Sequence, residues 1–338
     1  MQCHFCEKIS PLPTSGSIFV HERTNAYQYL KESQGLDGHE ENTTFLAIPF
    51  LSHDELKSIL YPMINTGAEQ NWIRVYSDDD DKHPIHLTIQ HLYHRISDPE
   101  LVQLIEDEAF ETHLQPIFNL QTEKLYGYES LLRTHQNVVN PGRLFQFAQQ
   151  AGLQSYLDQR ARRLAIQTKA NKIGREYYIF INFLPSSIYN PDFCLKHTFE
   201  AIDEYNVSKD ELVFEVVETE YIDDLSHLEG ILNRYKQSGM RVALDDVGSG
   251  YNNLDVLSQL STDIIKIDRY YVRNCHENDD NQLFIDRAID IAKQLNLTIL
   301  AEGIETEEEF RHLQAKGIHL AQGFYLGKPS ADIVHELD

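Results

Sequence analysis

Two adjacent carboxylates stand at the end of a short apolar run in the second half of the chain. Asp245 and Asp246 follow residues 242–244 and come shortly before Gly248 and Gly250. This pattern predicts a strand that ends in a ligand-binding loop, because glycine permits backbone turns that other residues resist. Paired carboxylates can share or bridge divalent cations, whose charge offsets their mutual repulsion. On their own, these residues fit a solvated acidic turn equally well.

Nearly every other apolar run between residues 108 and 338 also contributes one polar side chain. These side chains are Glu129, Asn182, Glu215, Lys266, Glu302 and Gln322. In a (β/α)8 barrel the carboxyl ends of all strands meet at one mouth, so we expect these groups to converge there. Converging carboxylates repel one another unless cations or a lysine neutralise them. The oxygen donors favour Mg²⁺ or Mn²⁺ over zinc, and two such ions could clamp a phosphoryl displacement.

Lys266 has two interpretations that the sequence leaves open. Beside a metal site, its amine could orient or help to deprotonate an attacking water. It could also form a salt bridge with a neighbouring carboxylate such as Asp268, which would be a structural role.

The apolar runs themselves alternate with amphipathic helical stretches from about residue 108 onward. The runs cover residues 114–120, 125–132, 178–183, 212–217, 242–244, 264–267, 298–301 and 320–326. They predict an α/β fold, a (β/α)8 TIM-like barrel over residues 108–338. Only residues 121–124 separate the first two runs, which is too short for a parallel crossover, so we expect an antiparallel first strand. Helices are predicted over residues 142–151, 156–170, 225–238, 282–295 and 307–316, the last with Thr306 as its N-cap.

Residues 1–96 have the pattern of a small α/β domain that precedes the barrel. Strands are predicted over residues 44–51, 72–76 and 85–89, and a helix over residues 54–64. Ser52 is the expected cap of this helix, and Pro62 is expected to end it early. Residues 97–107 are predicted to form a connecting helix. We expect a sensory or regulatory role for residues 1–96.

Composition excludes several classes of partner. The formal net charge of −24 argues against a nucleic-acid polymer or an anionic membrane. No apolar run is long enough to span a bilayer and the N-terminus has no signal-peptide core, so we expect a cytoplasmic protein. Four cysteines in a chain of this length do not indicate a disulfide framework. Cys3 and Cys6 could clamp zinc with help from His4 or His21, or remain an ordinary reduced pair.

The ordered motifs from about residue 108 to residue 330 resemble the EAL domain of bacterial signalling proteins. The matching segments are QPI at 115–117, ESLLR at 129–133, INF at 181–183, EVVE at 215–218, DDVGSGY at 245–251, KID at 266–268, AEGIE at 301–305 and QGF at 322–324. The signature that gives the domain its name is present with Ser130 in place of the usual alanine.

The resemblance implies a phosphodiesterase that linearises cyclic di-GMP to 5′-pGpG with two Mg²⁺ or Mn²⁺ ions, and a homodimer. One metal would be held by Glu129, Asn182, Glu215 and Asp245, and the other by Asp245 and Asp246. The resemblance assigns Lys266, Glu302 and Glu129 to catalysis, with Glu302 and Gln322 as metal or water partners. The implied substrate contacts are Gln115, Leu131, Arg133, Asp268 and Gln322, of which Arg133 would grip a phosphate and Gln115 would lie near a guanine.

The loop after the paired aspartates departs from the family pattern. Val247 replaces the common phenylalanine, and Asn252 and Asn253 replace a pair of serines. The resemblance assigns Glu218 to anchoring this loop. A receptor that binds cyclic di-GMP without cutting it is the main alternative, and a protein-interaction scaffold is the third. The complete ligand set and Lys266 favour the enzyme.

Overall fold

The computed structural model describes residues 8–33, 44–79, 83–216, 225–248, 257 and 259–333. The chain divides into two compact units. The first holds residues 1–109 and 139–157, and the second holds residues 110–138 and 158–338. Residues 139–157, which the sequence analysis places in the barrel region, are thus grouped with the N-terminal part of the chain.

A four-stranded antiparallel sheet organises the first unit. Its strands are β1 (Gly16–His21), β2 (Phe45–Phe50), β3 (Trp72–Ser77) and β4 (Ile85–Thr88), in the spatial order β2-β1-β3-β4. This sheet confirms the small α/β domain, although the sequence pattern does not predict β1, one of its two central strands. Alternate residues of β1 point into the core, where Ile18 and Val20 are fully buried.

Five α-helices lie wholly within the described part of the first unit. They are α1 (Asn25–Ser33), α2 (His53–Leu60), α3 (Ile89–Ser97), α4 (Pro99–Glu106) and α5 (Pro141–Gln150). Ser52 caps α2 as predicted, since its side chain accepts a hydrogen bond from the Glu55 amide. The predicted helix over residues 54–64 is too long, because α2 ends at Leu60 and Pro62 lies in a 3₁₀ turn.

The segment between β4 and the barrel contains two helices instead of one. The strand predicted over residues 85–89 ends at Thr88, whose side chain caps α3 by accepting a hydrogen bond from the His91 amide. The connecting helix predicted over residues 97–107 corresponds to α4, which starts at Pro99 after a break at Asp98.

Helix α5 joins the first unit through its C-terminal end. Arg95 on α3 donates from Nε to the Ala151 carbonyl at 2.8 Å and from Nη2 to the Gly152 carbonyl at 3.2 Å. These carbonyls belong to the C-cap of α5 and to the residue after it, at the helix end where a cation is favourable. Burial lowers the pKa of Arg95 to about 10, so it remains charged near neutral pH.

Eight strands of the second unit close into a barrel. They are β5 (Phe110–Asn119), β6 (Lys124–Thr134), β7 (Tyr178–Phe183), β8 (Leu212–Val216), β9 (Arg241–Val247), β10 (Ile264–Ile267), β11 (Thr298–Ala301) and β12 (Leu320–Ala321). The strand β5 pairs antiparallel with both β6 and β12, and all the other pairs are parallel. This confirms the barrel and its antiparallel first strand. The run predicted over residues 320–326 forms a strand only as far as Ala321.

Apolar side chains fill the inside of the barrel, and helices cover its outside. The inner cluster takes one residue from each of seven strands: Ile117, Phe180, Val213, Ala243, Ile264, Leu300 and Leu320. The helices are α6 (Gln154–Lys172), α7 (Pro191–Cys194), α8 (Lys196–Tyr205), α9 (Leu225–Gln237), α10 (Arg269–Val272), α11 (Asp279–Leu295) and α12 (Glu307–Lys316). Thr306 caps α12 as predicted, in a capping box with Glu309. Of the helices that the structure describes, none is both long and apolar enough to cross a bilayer.

Gly152 provides a test of how α5 is held. Its φ is +64°, and an added methyl group would lie 2.5 Å from His91 Nδ1 on α3. We predict that Gly152→Ala lowers the free energy of unfolding by about 1–3 kcal/mol, because the backbone and the histidine would both resist the methyl group. Thermal unfolding followed by circular dichroism measures this loss.

The matched control is Gly230→Ala in helix α9, where an added methyl group meets nothing within 4 Å. This exchange should stabilise the protein by about 0.5–1 kcal/mol, since alanine is the better helix former. Unchanged stability of the Gly152→Ala protein would contradict the packing described for α5.

Candidate active site

Lys266 lies at the centre of a cluster of carboxylates. Its Nζ is 2.7 Å from Glu302 Oε1, 3.0 Å from Asp245 Oδ1, 3.2 Å from Glu215 Oε1 and 3.8 Å from Glu129 Oε1. The Lys266 side chain is 1% exposed. The structure therefore brings together, around one buried amine, four acids that are far apart in the sequence.

Neighbouring strands of the barrel bring these groups together. Asn182 on β7 pairs in register with Glu215 on β8, and both stand one residue before the last residue of their strands. Lys266 stands one residue before the end of β10, at a shift in register against β9. Glu302 directly follows β11. The predicted convergence at the carboxyl ends of the strands is thus the geometry that the structure has.

Two amides orient the Glu129 carboxylate. Asn182 Nδ2 donates to Glu129 Oε1 at 3.1 Å, and Gln322 Nε2 donates to Glu129 Oε2 at 2.6 Å. The side-chain oxygen Oε1 of Gln322 is buried and has no hydrogen-bond partner among the residues that the structure describes. An unpaired buried oxygen costs free energy unless a cation or a donor occupies its free side, so this atom fits a site that binds a further group.

The paired aspartates adopt a special backbone conformation. Asp246 has φ of +51°, and its amide donates to Asp245 Oδ1 at 3.0 Å. A left-handed conformation is costly for a residue other than glycine and is often kept at functional sites. One oxygen each from Asp245, Asp246 and Glu302 lie within 4.8 Å of one another. This spacing permits the three groups to hold one cation.

The electrostatics of the cluster show a shortage of positive charge. Burial raises the pKa of Glu215 and of Glu302 well above the usual range, and repulsion from neighbouring carboxylates adds to the effect of burial, while Lys266 opposes it. Burial and the neighbouring Asp245 and Asp268 carboxylates raise the pKa of Asp246 to about 7. Burial alone would lower the pKa of Lys266, but the surrounding carboxylates raise it well above its usual value. A buried set of oxygen donors with excess negative charge fits hard divalent cations.

Four of the five residues that the resemblance assigns to substrate binding lie on three elements, and the fifth, Gln322, directly follows β12. Leu131 and Arg133 follow Glu129 at alternate positions of β6, so all three side chains point to one face of the strand. Gln115 is the register partner of Glu129 on β5, and its Nε2 donates to the Gly327 carbonyl at 3.3 Å. Asp268 caps α10 by accepting a hydrogen bond from the Tyr270 amide at 2.7 Å.

The sequence allowed a salt bridge between Lys266 and a neighbouring carboxylate such as Asp268. Lys266 does form salt bridges, but with carboxylates other than Asp268. Among the described residues, its partners within 4 Å are Glu302, Asp245, Glu215 and Glu129. Glu218, Asn252 and Asn253, as well as Cys3 and Cys6, lie outside the described residues, so the roles considered for them stay predictions.

Sequence reasoning missed the aromatic contacts of Gly248, at the start of the loop that follows the paired aspartates. The rings of Tyr271 and Phe284 stack with their centroids 3.6 Å apart, and the Tyr271 hydroxyl donates to the Gly248 carbonyl at 2.9 Å. A methyl group on Gly248 would lie 2.4 Å from both rings. Both aromatic residues are distant from this loop in the sequence, and no local pattern marks them.

The fold and the site define a barrel protein with an acidic cluster, suited to divalent metals, at the carboxyl ends of its strands. The sequence profile of the EAL domain matches residues 99–329. The chain belongs to the EAL domain family. This membership confirms the resemblance noted in the sequence.

Individual relatives agree with this assignment. The probable cyclic di-GMP phosphodiesterase PdeG of Escherichia coli (strain K12) is 33% identical over 223 residues, which are 64% of this chain and 43% of the relative. The chain therefore spans less than half the length of this relative. A standalone versatile EAL protein from Vibrio cholerae O395, solved in its c-di-GMP-bound form, is 34% identical with a TM-score of 0.62 and covers 68% of this chain and 95% of its own.

A third relative carries a metal. The structure of Klebsiella pneumoniae BlrP1 in its manganese/cy-diGMP complex is 26% identical with a TM-score of 0.60, and it covers 71% of this chain and 65% of its own. BlrP1 therefore binds cyclic di-GMP together with manganese.

The raised carboxyl pKa values predict how the metal-free protein responds to pH. The pKa of Asp246 is 3.8 in the unfolded chain and about 7 in the folded protein. Between these pH values the folded protein holds a proton that the unfolded chain releases, so the contribution of Asp246 to stability falls as pH rises. Glu215 and Glu302 act in the same direction. His91 acts in the opposite direction, because burial lowers its pKa to about 4. We therefore expect the change in melting temperature between pH 5 and pH 8 to be more negative for EDTA-treated wild type than for Asp246→Asn, and added Mn²⁺ to raise the wild-type melting temperature at pH 8.

Scanning calorimetry at the two pH values measures this response, and Asp246→Asn serves as the control. The variant carries one titrating group fewer, so the change in its melting temperature between pH 5 and pH 8 should be less negative. An equal change in melting temperature between pH 5 and pH 8 for the wild type and Asp246→Asn would contradict the described electrostatics, as would an absence of stabilisation by Mn²⁺.

Proposed function

We propose that this chain hydrolyses cyclic di-GMP to 5′-pGpG with the help of two Mg²⁺ or Mn²⁺ ions. The observation that carries the proposal is the cluster around Lys266, in which four carboxylates lie within 3.8 Å of one buried amine, three on β6, β8 and β9 and one directly after β11. A protein that only scaffolds other proteins has no use for such a costly arrangement. The names of relatives supply the substrate class.

The proposed metal ligands follow the donor chemistry of the cluster. Glu129, Asn182, Glu215 and Asp245 would hold one ion, and Asp245 together with Asp246 would hold the other. When bound, the ions would neutralise the negative charge that develops on the phosphate oxygens during displacement. The oxygen-only ligand set and the excess of negative charge support this assignment.

The remaining residues of the site would bind the substrate and direct water. Arg133 would grip a phosphate, while Gln115, Leu131 and Asp268 would contact the rest of the dinucleotide. Lys266 would orient the attacking water, and Glu302 would hold the Lys266 amine, whose Nζ lies 2.7 Å from Glu302 Oε1. Gln322 would position Glu129 or the water. The water oxygen forms a bond to phosphorus, the bond from phosphorus to O3′ breaks, and a proton passes to O3′. The product is then linear 5′-pGpG.

Incubation of the full chain with cyclic di-GMP and Mn²⁺ or Mg²⁺, followed by chromatography, tests this proposal. We expect 5′-pGpG from the wild type, and a loss of at least about 100-fold in Glu129→Ala. Loss of an outer-shell partner alone typically costs about 10–100-fold, and Glu129 is a proposed direct ligand. The matched control is Glu204→Ala, which removes an exposed carboxylate paired with Arg163 and should leave turnover unchanged.

Two outcomes would contradict the proposed hydrolase. Tight binding of cyclic di-GMP without product in either metal would favour the receptor. Neither binding nor cleavage would favour a scaffold. Equal turnover by Glu129→Ala and the wild type would show that any activity does not come from this site.

Regulation and assembly are the features that we propose beyond the barrel's chemistry. Residues 1–96 would form a regulatory domain, residues 97–107 a connecting helix and residues 108–338 the catalytic domain, in a homodimeric protein. A chain lacking residues 1–96 should differ from the full chain in turnover or its control, and equal behaviour would count against regulation.

Sedimentation velocity of the full chain with cyclic di-GMP should show a dimer; a monomer throughout would refute the assembly.

A further inference from the structure

Asp158 is a buried carboxylate that the proposed chemistry does not use. It lies on helix α6 and is 2% exposed. Its Oδ1 accepts a hydrogen bond from the Leu184 amide at 3.0 Å, and its Oδ2 accepts one from Ser187 Oγ at 2.6 Å. One side chain thus holds two points of the segment that follows strand β7.

Arg162, one turn further along α6, fixes the other side of this carboxylate. Its Nη2 lies 2.9 Å from Asp158 Oδ2, and its Nη1 donates to Thr198 Oγ1 at 2.6 Å. Burial works against the charge of Arg162, but the Asp158 carboxylate raises the pKa of the guanidinium above its usual value. A buried ion pair with several hydrogen bonds is rigid, because loss of any contact would leave a desolvated charge.

The clamped segment begins two residues after a proposed metal ligand. Strand β7 ends at Phe183, and Leu184 is the first residue beyond it. Ser187 closes the 3₁₀ turn that follows, and its hydroxyl also lies 2.7 Å from the Leu184 carbonyl. Asn182 itself points to Glu129 Oε1 at 3.1 Å. Asp158 therefore fixes the backbone at the point where the strand that carries Asn182 leaves the barrel.

We propose that Asp158 is a positioning residue, which acts through Leu184 and Ser187 to hold Asn182 in the geometry that a metal ion requires. The inference rests on the proposed function, since it treats Asn182 as a metal ligand. Groups that orient ligands tune affinity for the ion without touching it.

Helix α6 offers a matched control at its other end. Lys169 is 1% exposed, and its Nζ lies 2.6 Å from Glu211 Oε2. Glu211 directly precedes strand β8, at the end of the barrel opposite the acidic cluster. Glu211→Gln therefore weakens a buried ion pair of the same helix without acting on the segment that follows strand β7. It separates a general loss of stability from a loss of metal binding.

Calorimetric titration of EDTA-treated full chain with MnCl₂ tests the proposal. Asp158→Asn keeps the shape of the side chain but turns one acceptor into a donor. We expect Asp158→Asn to weaken Mn²⁺ binding about tenfold, and Ser187→Ala, which removes a single hydroxyl, to weaken it by a few-fold. Glu211→Gln should bind like the wild type. Circular dichroism at the titration temperature verifies that each variant is folded.

The double variant Asp158→Asn/Asn182→Ala distinguishes positioning from a structural role. If Asp158 acts through Asn182, its exchange should change Mn²⁺ affinity by less than about twofold once Asn182 is gone. Normal Mn²⁺ binding by both Asp158→Asn and Ser187→Ala would overturn the inference, as would a full tenfold loss in the Asn182→Ala background. Absence of Mn²⁺ binding by the wild type would overturn the proposed metal site as well.

Discussion

The structure depends on the burial of several carboxylates around the single amine of Lys266. Glu129, Glu215, Asp245 and Glu302 all lie within 3.8 Å of its Nζ, and one ammonium group cannot neutralise four ionised acids. Burial raises the pKa values of Glu215 and Glu302, and repulsion from the neighbouring carboxylates adds to its effect. Such a cluster persists only in a fold that prevents its members from moving apart. A divalent ion removes the imbalance, and this is the physical basis for treating the site as a metal centre.

The barrel holds the acidic cluster together from several sides. Its strands bring the acids to one end, and buried polar clamps fix the segments that leave the strands. Asp158 holds the segment after β7. Glu309 does the same for two other segments, because its carboxylate accepts hydrogen bonds from the Asn274 amide at 2.9 Å and the Glu305 amide at 2.8 Å. These segments follow Lys266 and Glu302, so the polar core of the protein is organised around its charged centre.

The sequence predicted the residues of the acidic cluster better than the buried polar residues that hold the surrounding segments in place. The paired aspartates and Lys266 stand at the ends of short apolar runs, and the barrel rule places strand ends together. Asp158 carries no such signal, because its partners lie 26 and 29 residues away. Arg95 links the rest of the first unit to residues 139–157 by donating to a carbonyl 56 residues away, which no local pattern indicates.

A crystal structure of the full chain with Mn²⁺ and cyclic di-GMP, with manganese located by anomalous scattering, would test most directly whether the acidic cluster is a metal centre. We predict two manganese peaks, one among Glu129, Asn182, Glu215 and Asp245 and the other beside Asp245 and Asp246. The Lys266 amine should then lie beside the phosphate that the ions contact. No peak in the cluster, with Lys266 still paired to all four carboxylates, would contradict the account and make the cluster a structural ion-pair network.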